Sequence, residues 1–579
     1  MTSKDNKQFH QLVRELTCAI EAGGYGPGMA AETVLKLWSK HQCPTLCCIG
    51  LAFSKKLASE PKLQNFVAWL SDLPMLDAAY WLSSAYAIWT GAENRKNLAM
   101  FFTPASLTNR LLDDLEQAGV SFAEHTFFDP ACGGAAFLAP IAQRMRSTLL
   151  AHGATSRQIL DQVEQRLFGT DLDAVLCRMS RHFLRMVLAE EIADAQFEPE
   201  FHIAQANSLT EIDTLAGTID VVVCNPPYRK MAANEVSVYR KNFANVIEAQ
   251  PNLYGLFIAL CLRLLKPRGL AALVTPTSFM SGQSFAKLRR YLMENAEILH
   301  IGIVADRSGV FINVEQETAL TLLRQRQPEN AAETTAQVAV VSRDGSLKSM
   351  GLCVLPNSGS AWPVPRAEGD AEMLRFIGTS HYRLADYGYR ARIGAVVWNR
   401  DKRRTFLSII DAKRAKSSNV VPLLWSSDIQ QGREVDFLAK TKTNGEHAFI
   451  EVSGLGISSV IKRPAVLLQR VTSNDQPRRL VAAVVPTNLL EQHGGFVGEN
   501  HTVILEAIED RGITPDILMA VISSLPIERY FRCISGATNI SIFELSQLPL
   551  PAPERLRAAL DQGLSMDAAV ISAFAGEAC

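Results

Sequence analysis

The chemistry in this chain concentrates in four consecutive residues, Asn225-Pro226-Pro227-Tyr228, which follow the apolar run Asp220-Val-Val-Val-Cys224. The two prolines fix φ and remove two amide donors, so the carbonyls beside them are rigidly presented acceptors. The Asn225 side-chain carbonyl adds another. Two acceptors aimed at one nitrogen hold an NH2 group and leave its lone pair to meet an electrophile. Tyr228 supplies an aromatic face on which a planar, amine-bearing ring can stack. Pro-Pro turns are common as plain loops, but a strand that ends in this tetrapeptide is rarely only a loop. Cys224 ends a buried strand and is not placed to act as a nucleophile. Attack by the amine itself needs no covalent intermediate.

A second constellation lies upstream. Phe127-Phe-Asp-Pro-Ala-Cys-Gly-Gly-Ala-Ala-Phe-Leu138 reads as a short strand, a turn of small residues and a helix start. In an open α/β sheet, ligands sit at the carboxyl ends of the strands. The spacing is not Gly-x-Gly-x-x-Gly, and no Gly-Lys-Ser/Thr follows, which disfavours a pyrophosphate cradle. Asp129 would repel phosphate and attract an ammonium group. S-adenosylmethionine carries an α-amino group and no phosphate. In Leu167-Phe-Gly-Thr-Asp-Leu-Asp173, Asp171 falls at a strand tip and suits the two hydroxyls of a ribose, whereas Asp173 suits the cap of the next helix. In Ala204-Gln-Ala-Asn-Ser-Leu209, Asn207 either bonds the adenine amine of such a ligand or is a turn residue.

These residues need a scaffold, and the pattern around them supplies one. From about 100 to 326, short β-rich runs alternate with helical ones: Thr126-Phe-Phe128, Leu167-Phe-Gly169, Phe201-His-Ile203, Asp220-Val-Val-Val223, Leu270-Ala-Ala-Leu-Val274 and Leu299-His-Ile-Gly-Ile303. Strands spaced by helices predict a parallel α/β sheet. Residues 1 to about 98 carry apolar residues at helical spacing, as in Val67-Ala-Trp-Leu70 and Ala78-Ala-Tyr-Trp-Leu82, and their Trp and Tyr residues read as core. Residues 327 to 345 are polar, a connection or a sheet extension. From about 346 the chain reads as short strands and turns, closing with a helical segment from Pro553 to Ala573. The expected division is 1–97, 98–326 and 327–579. No internal repeat or low-complexity tract occurs.

The order of these motifs resembles that of the gamma-class N6-adenine DNA methyltransferases of restriction-modification systems. Ala99-Met-Phe-Phe-Thr-Pro104 is similar to the family's upstream cofactor motif. Asn252-Leu-Tyr-Gly-Leu-Phe257 and Leu264-Leu-Lys-Pro-Arg-Gly-Leu270 look like its central helix and fifth strand, and Gly309-Val-Phe311 with Glu317-Thr-Ala-Leu320 like its last catalytic-domain motif. The resemblance covers residues 98–326 and continues more loosely through Val397-Trp-Asn-Arg-Asp-Lys402, Leu468-Gln-Arg-Val-Thr472 and Phe531-Arg-Cys-Ile-Ser-Gly536. It implies a Rossmann-like α/β sheet that binds S-adenosylmethionine, with an N-terminal helical region and a C-terminal mixed α+β target-recognition domain. Thr103 and Pro104 would contact the methionine end of the cofactor. Asp129, Ala131 and Gly133 would line the methionine pocket, Asp171 the ribose and Asn207 the adenine, although many relatives have Asp at that last position. Asn225 and the Pro226 carbonyl would hold the target amine of a base flipped out of double-stranded DNA, and Tyr228 would stack on it. Phe311 is either a second base-contacting aromatic or core. The choice of adenine also rests on this resemblance, since cytosine-N4 enzymes more often carry Ser or Asp where Asn225 stands.

Charge adds a partner. Net charge over the chain is −1, yet residues 381–480 carry 18 Lys+Arg against 9 Asp+Glu, a local +9. A basic region inside a neutral chain suggests a polyanion-facing surface. Arg392, Trp398, Arg400, Lys402 and Arg470 are its candidate DNA contacts. Arg390, Arg403, Arg404, Lys462, Arg463, Arg478 and Arg479 belong to the same basic set. Cys43, Cys47 and Cys48 cluster near His41, but no second ligand pair sits at a zinc-finger spacing, so they read as buried thiols and no metal site is expected. The N-terminus has no apolar signal core and no run is long enough to span a bilayer, which predicts a cytoplasmic protein with no membrane partner. Residues 1–98 show no Pro-Asp…Asp/Glu-x-Lys nuclease pattern, so a cognate endonuclease would be a separate chain. Two other readings compete: a protein glutamine methyltransferase, which shares Asn-Pro-Pro-Tyr but is much shorter, and an inactive DNA-binding specificity subunit, which the intact Asn225-Pro-Pro-Tyr228 and Asp129 oppose.

Overall fold

The computed structural model describes residues 3–98, 100–249, 251–304, 317–327, 334–417, 419–438, 447–452, 458–472, 476–536 and 538–575. The chain divides into two compact units, 1–279 with 284–359, and 280–283 with 360–579.

The first unit is organised by one sheet. Its strands are β1 (Phe127–Asp129), β2 (Leu167–Asp171), β3 (His202–Gln205), β4 (Ile219–Cys224), β5 (Leu265–Pro276), β6 (Ala296–Val304), β7 (Thr318–Gln325), β8 (Thr335–Val341) and β9 (Leu347–Val354). Among the described residues their spatial order is β3-β2-β1-β4-β5-β7-β6-β8-β9. β1 to β5 are parallel, and β7 runs antiparallel between β5 and β6. β-Branched Val221, Val222 and Val223 are fully buried, as a central strand covered on both faces demands. The order of the strands along the sheet reverses between β1 and β4, and a crevice opens at their carboxyl ends there.

The α/β sheet is the one the sequence predicts. Its extent is not. Residues 335–341 and 347–354 pair as β8 and β9, β8 in parallel with β6, so the sheet runs past the expected boundary at 326 to the end of this unit. Alternating burial along β8 gives the reason: Ala336, Val338 and Val341 are buried against the sheet's core. The antiparallel strand β7 and the antiparallel pair β8–β9 also make the sheet mixed where a parallel one was expected.

The N-terminal segment forms helices Ser3–Ala22, Pro27–Gln42, Pro61–Ser71 and Met75–Trp89, with a short one at Lys55–Ala58. They are not a separate body. Phe9, Trp38, Phe66 and Trp81 share one apolar core with Phe127, Leu138 and Phe183 of the sheet region. Polar contacts reinforce it. Arg178 pairs with Glu32 at 2.6 Å, His182 meets Ser39 at 2.9 Å, and Tyr86 donates to Asp173 at 2.8 Å. The cysteine cluster is less buried than expected, with Cys47 exposed and Cys43 and Cys48 half-buried, because the loop carrying it lies at the surface.

The second unit is α+β. One sheet orders β10 (Tyr389–Ile393), β18 (Thr502–Ala507), β15 (Ala465–Gln469), β16 (Ala482–Val484) and β13 (Arg433–Glu434). Another orders β11 (Thr405–Phe406), β14 (Phe449–Glu451), β12 (Val420–Leu424) and β17 (Val497–Gly498). The closing helical segment is two helices, Pro553–Asp561 and Met566–Ala575, because Gly563 sits at φ +79° and breaks the first.

Helix Met75–Trp89 touches the small-residue turn after β1. A Cβ placed on Gly134 would lie 2.7 Å from Ser83 Cβ, closer than packed carbons approach. Gly134→Ala should therefore cost about 1–3 kcal/mol of stability in denaturant melts. Adding Ser83→Gly, which vacates that space, should recover most of the loss.

Candidate active site

Asp129 ends β1, Asp171 ends β2, and Asn225 follows the last residue of β4, so three neighbouring parallel strands deliver three polar side chains to the same end of the sheet. A cleft there, with about 930 Å3 of non-protein space including its open mouth, is lined by Thr103, Asp129, Ala131, Gly133, Asp171, Asn207 and Asn225, among others.

The turn after β1 is latched from both sides. Gly133 N–H donates to Asp171 Oδ2 at 2.9 Å, and Ser180 Oγ donates to the Gly133 carbonyl at 2.6 Å. Gly133 takes φ +50°, and a side chain there would meet the Phe102 ring at 2.9 Å, so only glycine fits. Asp129 Oδ1 accepts from Ala131 N–H at 3.0 Å. Asp171 Oδ1 accepts from Asp173 N–H at 2.9 Å, and Asp173 caps the helix Ala174–Val187 through the amides of Val175 and Leu176. The cap role thus falls to Asp173, while Asp171 lines the cleft.

Burial raises both buried carboxyls. It pushes Asp129 up to about 8, with the nearby Asp171 adding to the rise, and Asp171 up to about 6 despite the amides that it accepts. Two desolvated acids on one wall make the cleft a place for a cationic ligand group. Asn207 works as the cap of Ser208–Glu211, accepting from Leu209 N–H at 3.2 Å, while its Nδ2 donates to Tyr239 Oη at 3.3 Å.

Asn225, beyond β4 and beside the β1 that carries Asp129, also lines the cleft. Its Nδ2 donates to the Phe101 carbonyl and to Thr103 Oγ1, each at 3.0 Å. Its Oδ1 is buried and has no hydrogen-bond partner among the described residues. A buried acceptor left unpaired costs about 1–3 kcal/mol unless a ligand pairs with it. Pro226 is buried, and Pro227 and Arg229 join the cleft wall. Tyr228 Oη donates to the Val274 carbonyl of β5 at 2.9 Å, and its ring meets Tyr254 edge-on at 6.0 Å. Tyr228 does not line the cleft itself, and Pro104 also lies outside its wall. Phe311 lies outside the described residues.

The cleft recruits further residues that motif reading did not single out: Phe101 and Phe102, Tyr239 of helix Ala233–Phe243, and Phe257 of helix Leu253–Leu264. Phe257 ends a quoted motif, so a signal existed. Tyr239 lies in a polar helix with no motif.

In the second unit the basic residues divide. Trp398 is 43% exposed and packs edge-on against Trp425 at 5.0 Å. Arg400 and Lys402 are exposed and have no ion-pair partner among the described residues. Arg392 and Arg390 both reach Glu506, and Arg470 donates to the Asn500 carbonyl at 2.9 Å. Arg479, counted with the basic face, is fully buried and corrects that expectation. Its guanidinium donates to Thr472 and Ser535 at 3.1 Å, and lies over the Phe531 ring. It ties Leu468-Gln-Arg-Val-Thr472 to Phe531-Arg-Cys-Ile-Ser-Gly536 internally. Among the described residues no group of three or more His, Cys, Asp or Glu could hold a metal, and no helix is long and apolar enough to cross a membrane.

Comparison with known proteins places this geometry. Residues 80–351 match the family model described as N-6 DNA Methylase. The chain is 24% identical over 481 residues to the Type II methyltransferase M.PstI of Providencia stuartii, covering 80% of this chain and 88% of that one. It is 24% identical over 352 residues to the Type II methyltransferase M.BsuBI of Bacillus subtilis, covering 58% of this chain and 65% of the relative. The fold is similar to that of the Type IIL restriction-modification enzyme MmeI, solved in complex with DNA, with a TM-score of 0.57, 13% identity, and coverage of 94% of this chain and 87% of that one. These matches do not favour the glutamine methyltransferase or the inactive subunit. The match over residues 80–351 and the two methyltransferases support an N6-adenine DNA methyltransferase of restriction-modification systems.

Proposed function

We propose that the cleft at the ends of β1, β2 and β4 binds S-adenosylmethionine and methylates the N6 amine of an adenine turned out of duplex DNA at a specific site. The observation that carries this reading is the Asn225 Oδ1, unpaired among the described residues and buried beside a cleft whose wall also holds two desolvated carboxyls. The donor set fits the cofactor: Asp129 for its ammonium group, Asp171 for the ribose, Ala131 and Gly133 where the backbone must come close, and Asn207 at the adenine ring. The bound cofactor supplies an electrophilic methyl group. The chain's residues do the rest. Asn225 Oδ1 and the Pro226 carbonyl accept the two N–H groups of the amine, which holds the nitrogen with its lone pair directed into the cleft. As the new N–C bond forms, the methyl–sulfur bond breaks to leave a neutral thioether, and the amine gives up one proton to solvent. Tyr228, and Phe311 as a second aromatic, would stack on the base, offsetting the roughly few kcal/mol that flipping costs.

Residues 360–579 form the target-recognition unit in this reading, with Arg392, Trp398, Arg400, Lys402 and Arg470 on its DNA-facing side. The methyl mark would protect DNA in the cytoplasm from a separate cognate endonuclease.

Asn225→Ala should lower methyl transfer by at least about 10²-fold, while S-adenosylmethionine binding changes little. Nucleoside mass spectrometry of DNA from an expressing host should find N6-methyladenine, and sequencing that DNA for modified bases should give the site. Full activity in Asn225→Ala, or N4-methylcytosine as the product, would overturn the reading.

The raised Asp129 carboxyl also sets a pH dependence. The native state keeps a proton there that the unfolded chain releases near 4, so stability present at low pH is lost as pH rises toward about 8. The melting temperature of the ligand-free protein should fall between pH 6 and 8, with a slope of up to about 1.4 kcal/mol per pH unit for one proton. Asp129→Asn should flatten that slope, and saturating S-adenosylmethionine should flatten it in the wild type by favouring the ionised carboxylate. For the DNA face, Arg400→Ala and Lys402→Ala should each reduce the slope of log K against log salt by about 1 if they contact phosphates.

A further inference from the structure

An amide has two ends of nearly equal size, and only its partners decide which end faces the substrate. If Asn225 were turned over, Nδ2 would face the target amine, donor against donor, and no transfer geometry could form. Two acceptors prevent this. The Phe101 carbonyl and Thr103 Oγ1 both stand 3.0 Å from Nδ2 and account for both of its hydrogens. Thr103 is 1% exposed, so water cannot readily replace its hydroxyl. Both partners belong to one short strap between helix Ala92–Leu98 and helix Ala105–Gln117. Between them Phe102 packs its ring against Gly133 of the turn after β1. Three consecutive residues therefore touch the amide that would hold the substrate and the turn that would hold the cofactor.

We propose that Thr103 is a positioning residue for the transfer: with the Phe101 carbonyl, its hydroxyl holds the Asn225 amide in the one orientation that presents Oδ1 to the adenine amine. This rests on the reading of the cleft above, and differs from the cofactor contact that family resemblance implies for Thr103. The two roles predict different losses. A cofactor contact alone would show as weaker S-adenosylmethionine binding. A positioning role shows as a lower kcat at unchanged binding.

The test uses the full chain and a duplex carrying the site found by sequencing. Thr103→Val keeps the shape and removes the acceptor. It should lower kcat about tenfold, the worth of one well-aligned hydrogen bond, while the Kd for S-adenosylmethionine and the KM for DNA stay within about twofold. Thr103→Ser, which restores the hydroxyl, should recover most of that loss. A second duplex carries 2-aminopurine at the target position. Its amine is on C2 and cannot meet Asn225 as the adenine amine does, so its fluorescence rise on flipping should be the same in wild type and Thr103→Val. Should Thr103→Val fail to fold, Thr103→Ala carries the same expectation. An undiminished kcat in Thr103→Val, a loss that tracks weaker cofactor binding, or a Thr103→Ser variant as impaired as Thr103→Val would each overturn the proposal. If Asn225→Ala proves fully active, the reading of the cleft falls. If Asn225→Ala is inactive and Thr103→Val is not impaired, only the positioning role falls.

Discussion

The structure of this site depends on one side-chain amide held by its nitrogen. Asn225 spends both N–H groups on the Phe101 carbonyl and Thr103, and leaves its buried oxygen without a partner among the described residues. An isolated protein gains nothing from that arrangement, because an unpaired buried carbonyl destabilises it by about 1–3 kcal/mol. It becomes favourable only when a donor arrives. The surrounding fold serves to keep the empty acceptor in place. β4 is clamped between β1 and β5, which fixes where Asn225 leaves the sheet. Tyr228, three residues on, is anchored to the β5 carbonyl of Val274, so the Pro-Pro turn cannot swing. The unsatisfied group is thus a local cost that the packed strands around it tolerate.

The acid-bearing wall follows the same logic with charge. Asp129 and Asp171 are raised by burial, so in the empty cleft each resists ionisation. A cationic ligand reverses that balance. The turn between them is held by Gly133 bonding to Asp171 and by Ser180 bonding to Gly133, and behind it lies helix Met75–Trp89 through Ser83. Helix Met75–Trp89, with the N-terminal helices packed into the same core, therefore supports the turn from behind. Removing them would expose the core under the turn along with a surface helix.

The legible part of this molecule was local. Val221 to Cys224 declares a buried strand by composition alone, and the small residues after Asp129 declare a tight turn, so β1, β2, β4 and the positions of Asp129, Asp171 and Asn225 could be read from the chain. The split roles of Asp171 and Asp173 also follow from their place at the end of a strand and the start of a helix. What escaped was set by distant partners. Nothing near residue 225 says that its nitrogen will find residues 101 and 103. Residues 327–345 read equally as a connection or a sheet extension, since a polar stretch with period-two burial looks like a linker until β6 is beside it. Tyr239 was invisible because one aromatic in a polar helix carries no pattern.

The basic half shows why counting charges overstates a DNA-binding surface. Of the arginines that give residues 381–480 their local +9, Arg479 is a fully buried strut, Arg390 and Arg392 share Glu506, and Arg403 is paired with Asp401. Each such contact either neutralises the charge locally or removes it from the surface. Paired guanidinium groups attract a phosphate weakly, because the field that a polyanion senses is the sum of both partners. Exposed groups count in full, and Arg400 and Lys402, exposed and with no ion-pair partner among the described residues, lie two and four residues from an exposed Trp398. An aromatic edge beside two exposed cations is a compact combination for a nucleic-acid surface, since one term is sequence-tolerant stacking and the other phosphate attraction. The buried and paired arginines instead hold the α+β unit together.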